Sequence, residues 1–504
     1  MFKAPVATKL TDGSTFPAEA HWWLFCFLIL ALKFLLLGLD PLPKLFMGDS
    51  ASYLSTALLG RSPPDRSFLY GYVIRWSSLG TASLTSLLIL QVFLASLTAI
   101  SVALICRLIL GLASGVAYLF GIICALDPLQ LVWERYVMTE TISLFFYAFA
   151  LFFSFLYLKQ RWLWQLAVVE VLLVLTIGFR MSYLLIAQIS VPLLPFIAFF
   201  PEIRAAFRRR PSTSSKVSGL SSAGLHLAFS VLFMFVLQQG YRHVNGRLAG
   251  REPALLHNTG MSVLTTWAPV LKPTDSPDPR LSELIARGHE FRLNEVWSRN
   301  GQLYSPGGLA DRWKQIEPNV TVSNQVAKQT ALNALWRRPM DVAMLGVKTF
   351  LHYWNLKHIR REVKLELGKE HNNWPKNENW RAASRFHLQP PAARDARTYT
   401  LSQRYFLRSQ PYYYVVLLSP FICVALIFFV AEGYVFLLCL HSWILFATVT
   451  ILSKDASVRY LQPMSLLTLL ILAVVVKAVI DRRARRPPLE SMNLGRVKTE
   501  EAKC

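Results

Sequence analysis

The sequence predicts a multi-pass α-helical membrane protein with about ten transmembrane helices and an inserted extracytoplasmic domain of mixed structure. Four observations carry that expectation. Hydrophobic residues make up 53% of the 504 residues, where soluble chains sit near 45–50% even with glycine counted. Several apolar runs reach the roughly 18–20 residues that cross about 30 Å of hydrocarbon as a helix. The runs are continuous, which separates them from the short alternating segments of a barrel. Lys and Arg recur in every second connection, as the positive-inside rule requires.

The expected spans are 22–39, 82–105, 108–126, 141–158, 162–178, 183–200, 221–238, 412–430, 434–452 and 460–479. The first is read as an uncleaved span, because Asp40-Pro41-Leu42-Pro43 is no small-residue cleavage site. The second and third are parted by little more than Arg107, a tight hairpin. Lys3, Lys9, Arg107, Lys159, Arg161, the run Arg204 to Lys216, and Arg482 to Arg486 fall on one side, read as cytoplasmic, with both termini. The remaining connections face the other side: 40–81, 127–140, 179–182, 240–411 and 453–459.

Four regions result: a bundle over 1–239 with a long first outer loop at 40–81, an inserted domain over 240–410, a C-terminal hairpin with a last span over 411–480, and a basic tail over 481–504. Within the inserted domain the clearest helix is 340–355, too short and too charged to span and suited to an interface or a core. The net charge of +23 follows from topology and from anionic headgroups. No nucleic-acid motif accompanies it, so nucleic acid is not an expected partner. Five of the six cysteines lie in or beside spans and none lies in 240–410, so neither disulfides nor cysteine zinc sites are expected there.

The candidate functional residues cluster just beyond the spans of one side. Asp49, between Gly48 and Ser50 with Tyr53 at i+4, has two readings. It caps a short helix with Ser50, or it serves as a general base whose pKa is raised by the shielding membrane surface. Glu134 and Glu140 flank Arg135 to Thr139. Thr139 is a candidate cap for the next span and Glu140 suits its first turn; alternatively these acids orient an acceptor or help Asp49 hold a divalent cation. Arg180, Arg459 and Tyr460 sit at span ends, where snorkelling to headgroups competes with phosphate binding. Asp455 is a supporting acid in the same late loop. Lys33 and Glu170 lie inside spans, and intramembrane charges usually pair, so they are expected to pair with each other. No phosphate loop, dinucleotide fingerprint, His-Glu-x-x-His or Gly-x-Ser-x-Gly is present.

Gly48-Asp49-Ser50-Ala51-Ser52-Tyr53, Asp127-Pro128 through Glu140, Arg180 with Tyr183, and Arg459-Tyr460-Leu461-Gln462-Pro463 occur in that order. Together they resemble the motifs of the GT-C superfamily of integral membrane glycosyltransferases, which includes protein O-mannosyltransferases, the aminoarabinose transferase and Rgt-type transferases. Ser50 stands where some members carry a second acid. The resemblance implies a polyprenyl-phosphate sugar as donor, a glycan, lipid or protein hydroxyl as acceptor, and inversion at the anomeric carbon. It implies Asp49 as base, Arg180 and Arg459 on the donor phosphate, and Mg or Mn as a possible cofactor. The expected location is a plasma membrane, a bacterial inner membrane above all. Two other classes stay open on the residues alone: a transporter or flippase of a lipid-linked or amphipathic substrate, and a non-catalytic envelope assembly protein.

Overall fold

The computed structural model describes residues 20–63, 66–207, 215–367, 378–388, 398–430 and 432–484. Among these residues it is a multi-pass helical membrane protein with no β-strand; the nearest approach is one isolated parallel bridge between Lys44 and Tyr136. The basic run from Arg208 and the tail beyond 484 lie outside the described residues.

The first half comprises α1 (Ala20–Leu39), α2 (Met47–Leu59), α3 (Phe68–Ile74), α4 (Thr85–Leu104), α5 (Ser114–Ala125), α6 (Pro128–Trp133), α7 (Glu140–Gln160), α8 (Leu163–Phe179), α9 (Leu184–Ala198), α10 (Phe200–Phe207) and α11 (Ser215–Ala249). The inserted segment adds α12 (Thr259–Thr266), α13 (Pro279–Ala286), α14 (Arg299–Tyr304), α15 (Leu309–Ile316), α16 (Val320–Arg337), α17 (Pro339–Tyr353), α18 (Leu356–Glu366), α19 (Glu378–Ala383) and α20 (Leu401–Arg408). The chain closes with α21 (Gln410–Phe429), α22 (Gly433–Ile451) and α23 (Gln462–Ala484), the last entered through a 3₁₀ turn at Val458–Leu461.

Eight of the ten expected spans correspond to helices long and apolar enough to cross a membrane. The other two are the shorter apolar helices α5 and α8, about 18 and 26 Å long at 1.5 Å per residue. The expected hairpin between α4 and α5 is present. A π-turn at Ile105–Ile109 ends the first arm, and the backbone amide of Leu112 donates to Cys106 O at 3.0 Å.

The segment between α5 and α7 departs from a surface loop. Asp127 caps α6, accepting from Leu129 N at 2.8 Å with Pro128 in the first turn. Every residue from Pro128 to Glu140 is buried. Burial on that scale requires partners for the irregular backbone. Gln91 of α4 supplies them, donating to Glu134 O at 3.0 Å and Tyr136 O at 3.1 Å while accepting from the Tyr70 hydroxyl at 2.6 Å.

This re-entry corrects the expected intramembrane pair. Lys33 is fully buried and its ammonium meets Glu134, which also lies 3.5 Å from Arg135 Nη1. Glu170 is buried on α8, where no hydrogen bond of ordinary geometry reaches its oxygens and Ser230 of α11 faces it. The reason is packing order: α1 lies against α4 and α5, and α6 follows α5 so that its last turn brings Glu134 to Lys33, whereas α8 packs on α7 and α11.

The described residues of the inserted segment are also helical rather than mixed, and they divide in two. Its first part encloses a separate core around Leu264, Leu281, Leu309 and Trp313, with the Trp313 indole donating to Ser323 O at 3.1 Å. Its later part joins the main core through Tyr353, Ile359, Val363 and Phe406. α11 runs on to Ala249, past the boundary expected at 239/240. α17 is amphipathic. Val342, Leu345 and Tyr353 are buried, whereas Met340, Met344, Val347 and Leu351 remain exposed as an apolar stripe.

Candidate active site

The ends of α7 and α8 and the turn that opens the last helix meet α2 and the Arg66–Ser67 approach to α3 around one cleft of about 190 Å³. Its lining includes Asp49, Tyr53, Arg66, Glu140, Arg180, Arg459 and Tyr460. Six of these were legible as candidates in the sequence; Arg66 was not.

α2 starts one residue after Phe46, and Asp49 falls in its first turn rather than at its cap. No side chain caps the helix start at Phe46, and Ser50 lies inside the helix. Its Oγ accepts from Phe46 N at 2.8 Å and donates to Val137 O at 2.9 Å, which ties α2 to the re-entrant segment. The Asp49 carboxylate is thereby free to take two arginines. Arg66 donates to Oδ1, and Arg459 Nη1 donates to Oδ2 at 3.0 Å. Arg459 Nε also lies 3.5 Å from Glu140 Oε1, and Arg180 Nη1 lies 3.7 Å from the same oxygen. Three guanidiniums therefore face two carboxylates, a formal excess of one positive charge (3 − 2).

Backbone geometry supports this convergence. Arg180 ends α8 in an extended conformation and donates to Gln462 Oε1 at 3.3 Å, linking α8 to the start of α23. Gly178 permits the approach: a Cβ there would fall 2.4 Å from Leu69 and 2.9 Å from Tyr241. Glu140 stands in the first turn of α7, where the helix dipole favours a negative charge. Thr139 precedes it without making the expected side-chain cap. Tyr460 stacks beneath both arginines, 5.7 Å from Arg180 and 5.2 Å from Arg459.

The electrostatics overturn one expectation. Burial pushes the Asp49 carboxyl up, but Arg66 and Arg459 outweigh it and hold the group below the ordinary aspartate value. The raised pKa expected from membrane shielding is not what this arrangement produces.

Two further ionisable residues stand behind the cleft. Glu366, at the end of α18, is buried. Its Oε1 accepts from the Ser457 hydroxyl and, at 3.4 Å, from the backbone amide of Arg459, while Oε2 has no partner among the described residues. Burial pushes its carboxyl up to about 7, against the lowering effects of Ser457 and Arg459. Lys454 packs 5.1 Å from the centre of the Tyr304 ring, and burial together with Arg66 pulls its ammonium down to about 8. Neither residue carries a sequence signal, because each gains its role from elements distant in the chain.

Glu134 and Asp455 do not join the cleft. Glu134 is held by Lys33, and Asp455 faces Arg299 and Lys454 in the loop before the last helix, its carboxyl raised by burial. The residues present do not fit the expected divalent cation. Both oxygens of Asp49 are taken by guanidiniums, and no group of three or more His, Cys, Asp or Glu side chains forms among the described residues. No protein-family model matches the chain, and no curated protein matches it.

Proposed function

We propose that this protein is an inverting glycosyltransferase of the GT-C type, moving a sugar from a polyprenyl-phosphate donor to an acceptor hydroxyl at one membrane surface. The observation that carries the reading is the meeting of Arg66, Arg180 and Arg459 with Asp49 and Glu140 in one cleft at the ends of membrane helices. Guanidiniums bind phosphate bidentately and stay charged when buried. A lipid-linked phosphate at this depth meets net positive charge, with its tail in the bilayer beside the helices.

The resting Asp49 is a poor base because two arginines hold its lone pairs. An incoming phosphate competes for those arginines, and each contact it takes returns basicity to Asp49. Asp49 then accepts the proton of the acceptor hydroxyl. That oxygen forms the new bond at the anomeric carbon as the bond to the phosphate oxygen breaks. The electron pair leaves on the phosphate, where Arg180 and Arg459 stabilise it. Charge stabilisation falls to the arginines, so activity is expected to persist in a chelator.

The test is transfer or hydrolysis from a panel of radiolabelled polyprenyl-phosphate sugars, by purified protein in nanodiscs. Wild type is expected to release sugar, and Asp49→Asn to lose about a hundredfold or more of that rate with its fold kept. Equal release by both moves the base elsewhere. No release with any donor, from folded protein, removes the reading. A second reading, transport, is favoured by the buried Glu170, midway along α8, which has no charged partner among the described residues. It predicts movement of a lipid-linked substrate that depends on Glu170 and ignores Asp49.

A further inference from the structure

α17 belongs to the inserted segment, yet it packs along a membrane span. Gly346 lies against Ile451, the last residue of α22, and a Cβ at Gly346 would fall 2.7 Å from Ile451 Cγ1. One turn on, the Phe350 ring lies 5.2 Å from Phe446 and 6.3 Å from Phe421. Phe446 stands about 7.5 Å down the span from Ile451, at 1.5 Å per residue. α17 therefore descends beside α22 at its cleft-side end. The Trp354 ring, which follows α17, stacks on Tyr414 near the start of α21 at 4.9 Å. Paired aromatic rings at a span's end mark the level of a membrane surface.

The exposed stripe of α17 continues a row that faces lipid. Met344, Val347 and Leu351 lie opposite the buried Val342, Leu345 and Thr349. Phe421, which Phe350 meets, is exposed on α21 together with Leu418 and Val424. In a bilayer that row meets acyl chains, and Phe350 bridges it to α17.

Charge follows directly. α18 starts at this level, with Asn355 as its cap. Lys357, Arg360, Arg361 and Lys364 recur at i, i+3, i+4 and i+7 and are all exposed, while Ile359, Val363 and Glu366 are buried on the other side. None of the four cations forms an ion pair among the described residues. Arg360 is within electrostatic reach of Tyr414, which sets its guanidinium beside the aromatic pair at the span's end. Glu362, on the same helix, lies 4.0 Å from His358 Nδ1. An apolar stripe at hydrocarbon depth, followed by a cationic stripe at the surface, matches the two halves of an anionic lipid.

We propose that the elbow between α17 and α18 is a binding surface for anionic phospholipid of the cleft-side leaflet. Acyl chains lie on Met344, Val347 and Leu351. The headgroup phosphate lies on Arg360, with Lys357 and Arg361 beside it. The contact fixes the inserted segment to the bilayer. It does not rest on the glycosyl-transfer reading, because a transporter or an assembly protein with this elbow would bind the same lipid.

Native mass spectrometry tests it on the full chain, released from nanodiscs of equimolar phosphatidylglycerol and phosphatidylcholine. Phosphatidylglycerol is expected to be retained over phosphatidylcholine by about tenfold. The triple variant Lys357→Gln, Arg360→Gln, Arg361→Gln is expected to cut that preference about fivefold. Lys314→Gln, an exposed cation beside the separate core of the inserted segment, is expected to leave it unchanged. Val347→Asp, which puts a charge on the apolar stripe, is expected to lower phosphatidylglycerol retention about threefold. These positions are exposed, so the fold is kept, and thermal melting in the same nanodiscs checks it. Equal retention of the two lipids by wild type overturns the proposal. So does a preference that the triple variant changes by less than about twofold, or that Lys314→Gln lowers as much. Inorganic phosphate retained in place of lipid would make the elbow a plain anion site and overturn the lipid assignment. A dimer without lipid that Val347→Asp splits would give the stripe to a second copy of this chain, and overturn it as well.

Discussion

The two ends of the helical bundle carry similar residues and use them differently. At the cleft end, Asp49, Glu140, Arg180 and Arg459 come from four distant parts of the chain, and their side chains are 17%, 2%, 9% and 13% exposed. At the opposite end, Lys159 donates to the carbonyls of Leu108 and Ile109 at 2.8 and 3.0 Å, and Arg107 donates to the Tyr118 hydroxyl at 3.2 Å. Arg161 pairs with Glu202 at 2.6 Å, with the two side chains 31% and 33% exposed. A cation at a helix end is therefore not a site by itself. It becomes one when carboxylates from other helices reach it and water is largely excluded, because the same pair then interacts far more strongly.

That contrast can be broken in steps. The largest effect is expected below the cleft, at the Lys33–Glu134 pair. Lys33→Met alone leaves the buried Glu134 carboxylate with only Arg135, at 3.5 Å, and is expected to cost about 3 kcal/mol. Adding Glu134→Leu is expected to restore most of the loss, and thermal melting of the purified variants reads both. Glu170→Gln is expected to change little. If Glu170→Gln instead offset Lys33→Met, the pairing described here would be wrong.

Arg459→Ala and Arg107→Ala compare the two ends directly. Loss of Arg459 is expected to weaken binding of a polyprenyl phosphate by about tenfold or more. Loss of Arg107 is expected to leave it within about twofold, as for an exposed cation. Arg459→Lys keeps the charge and loses the fork, and is expected to fall between them. Equal losses from Arg459 and Arg107 would reduce the cleft to ordinary surface charge.

Titration sharpens the comparison within the cleft end. Glu366 has a folded value of about 7, above the ordinary glutamate value of about 4.3. The unfolded chain loses this proton first, so the stability contribution of Glu366 falls as pH rises between those values and is flat above them. Glu366→Gln is expected to raise the melting midpoint at about pH 8 and to do little at about pH 5. Asp49 runs the other way. Its depressed value gives stability that is complete above the ordinary aspartate pKa and lost as pH falls through the folded one. The smallest effect belongs to Arg161–Glu202, where breaking the exposed pair is expected to cost at most about 1 kcal/mol, with added salt removing most of it.

Much of this molecule was legible in the chain alone. Apolar runs of adequate length make helices wherever the surroundings lack water, because the backbone must satisfy its own hydrogen bonds. The alternation of spans then carries Asp49, Glu140, Arg180 and Arg459 to one end, and that is why those candidates could be named together. Arg66, Lys454 and Glu366 escaped, since no spacing relates them to Asp49 or Arg459.

What the sequence determined by itself was the helices, their order and the side on which the polar residues emerge. These follow from local hydrophobicity and from a period of alternation that needs no contact information. Only the tertiary structure decided which charges meet. It gave Lys33 to Glu134 instead of Glu170, because α8 packs on α7 and α11 while the end of α6 comes to Lys33, and a buried charge is held by the partner that packing delivers. It also turned Asp49 from a shielded, weakly acidic group into a doubly paired one, because the pKa of a carboxyl is set by neighbours that arrive from elsewhere in the chain.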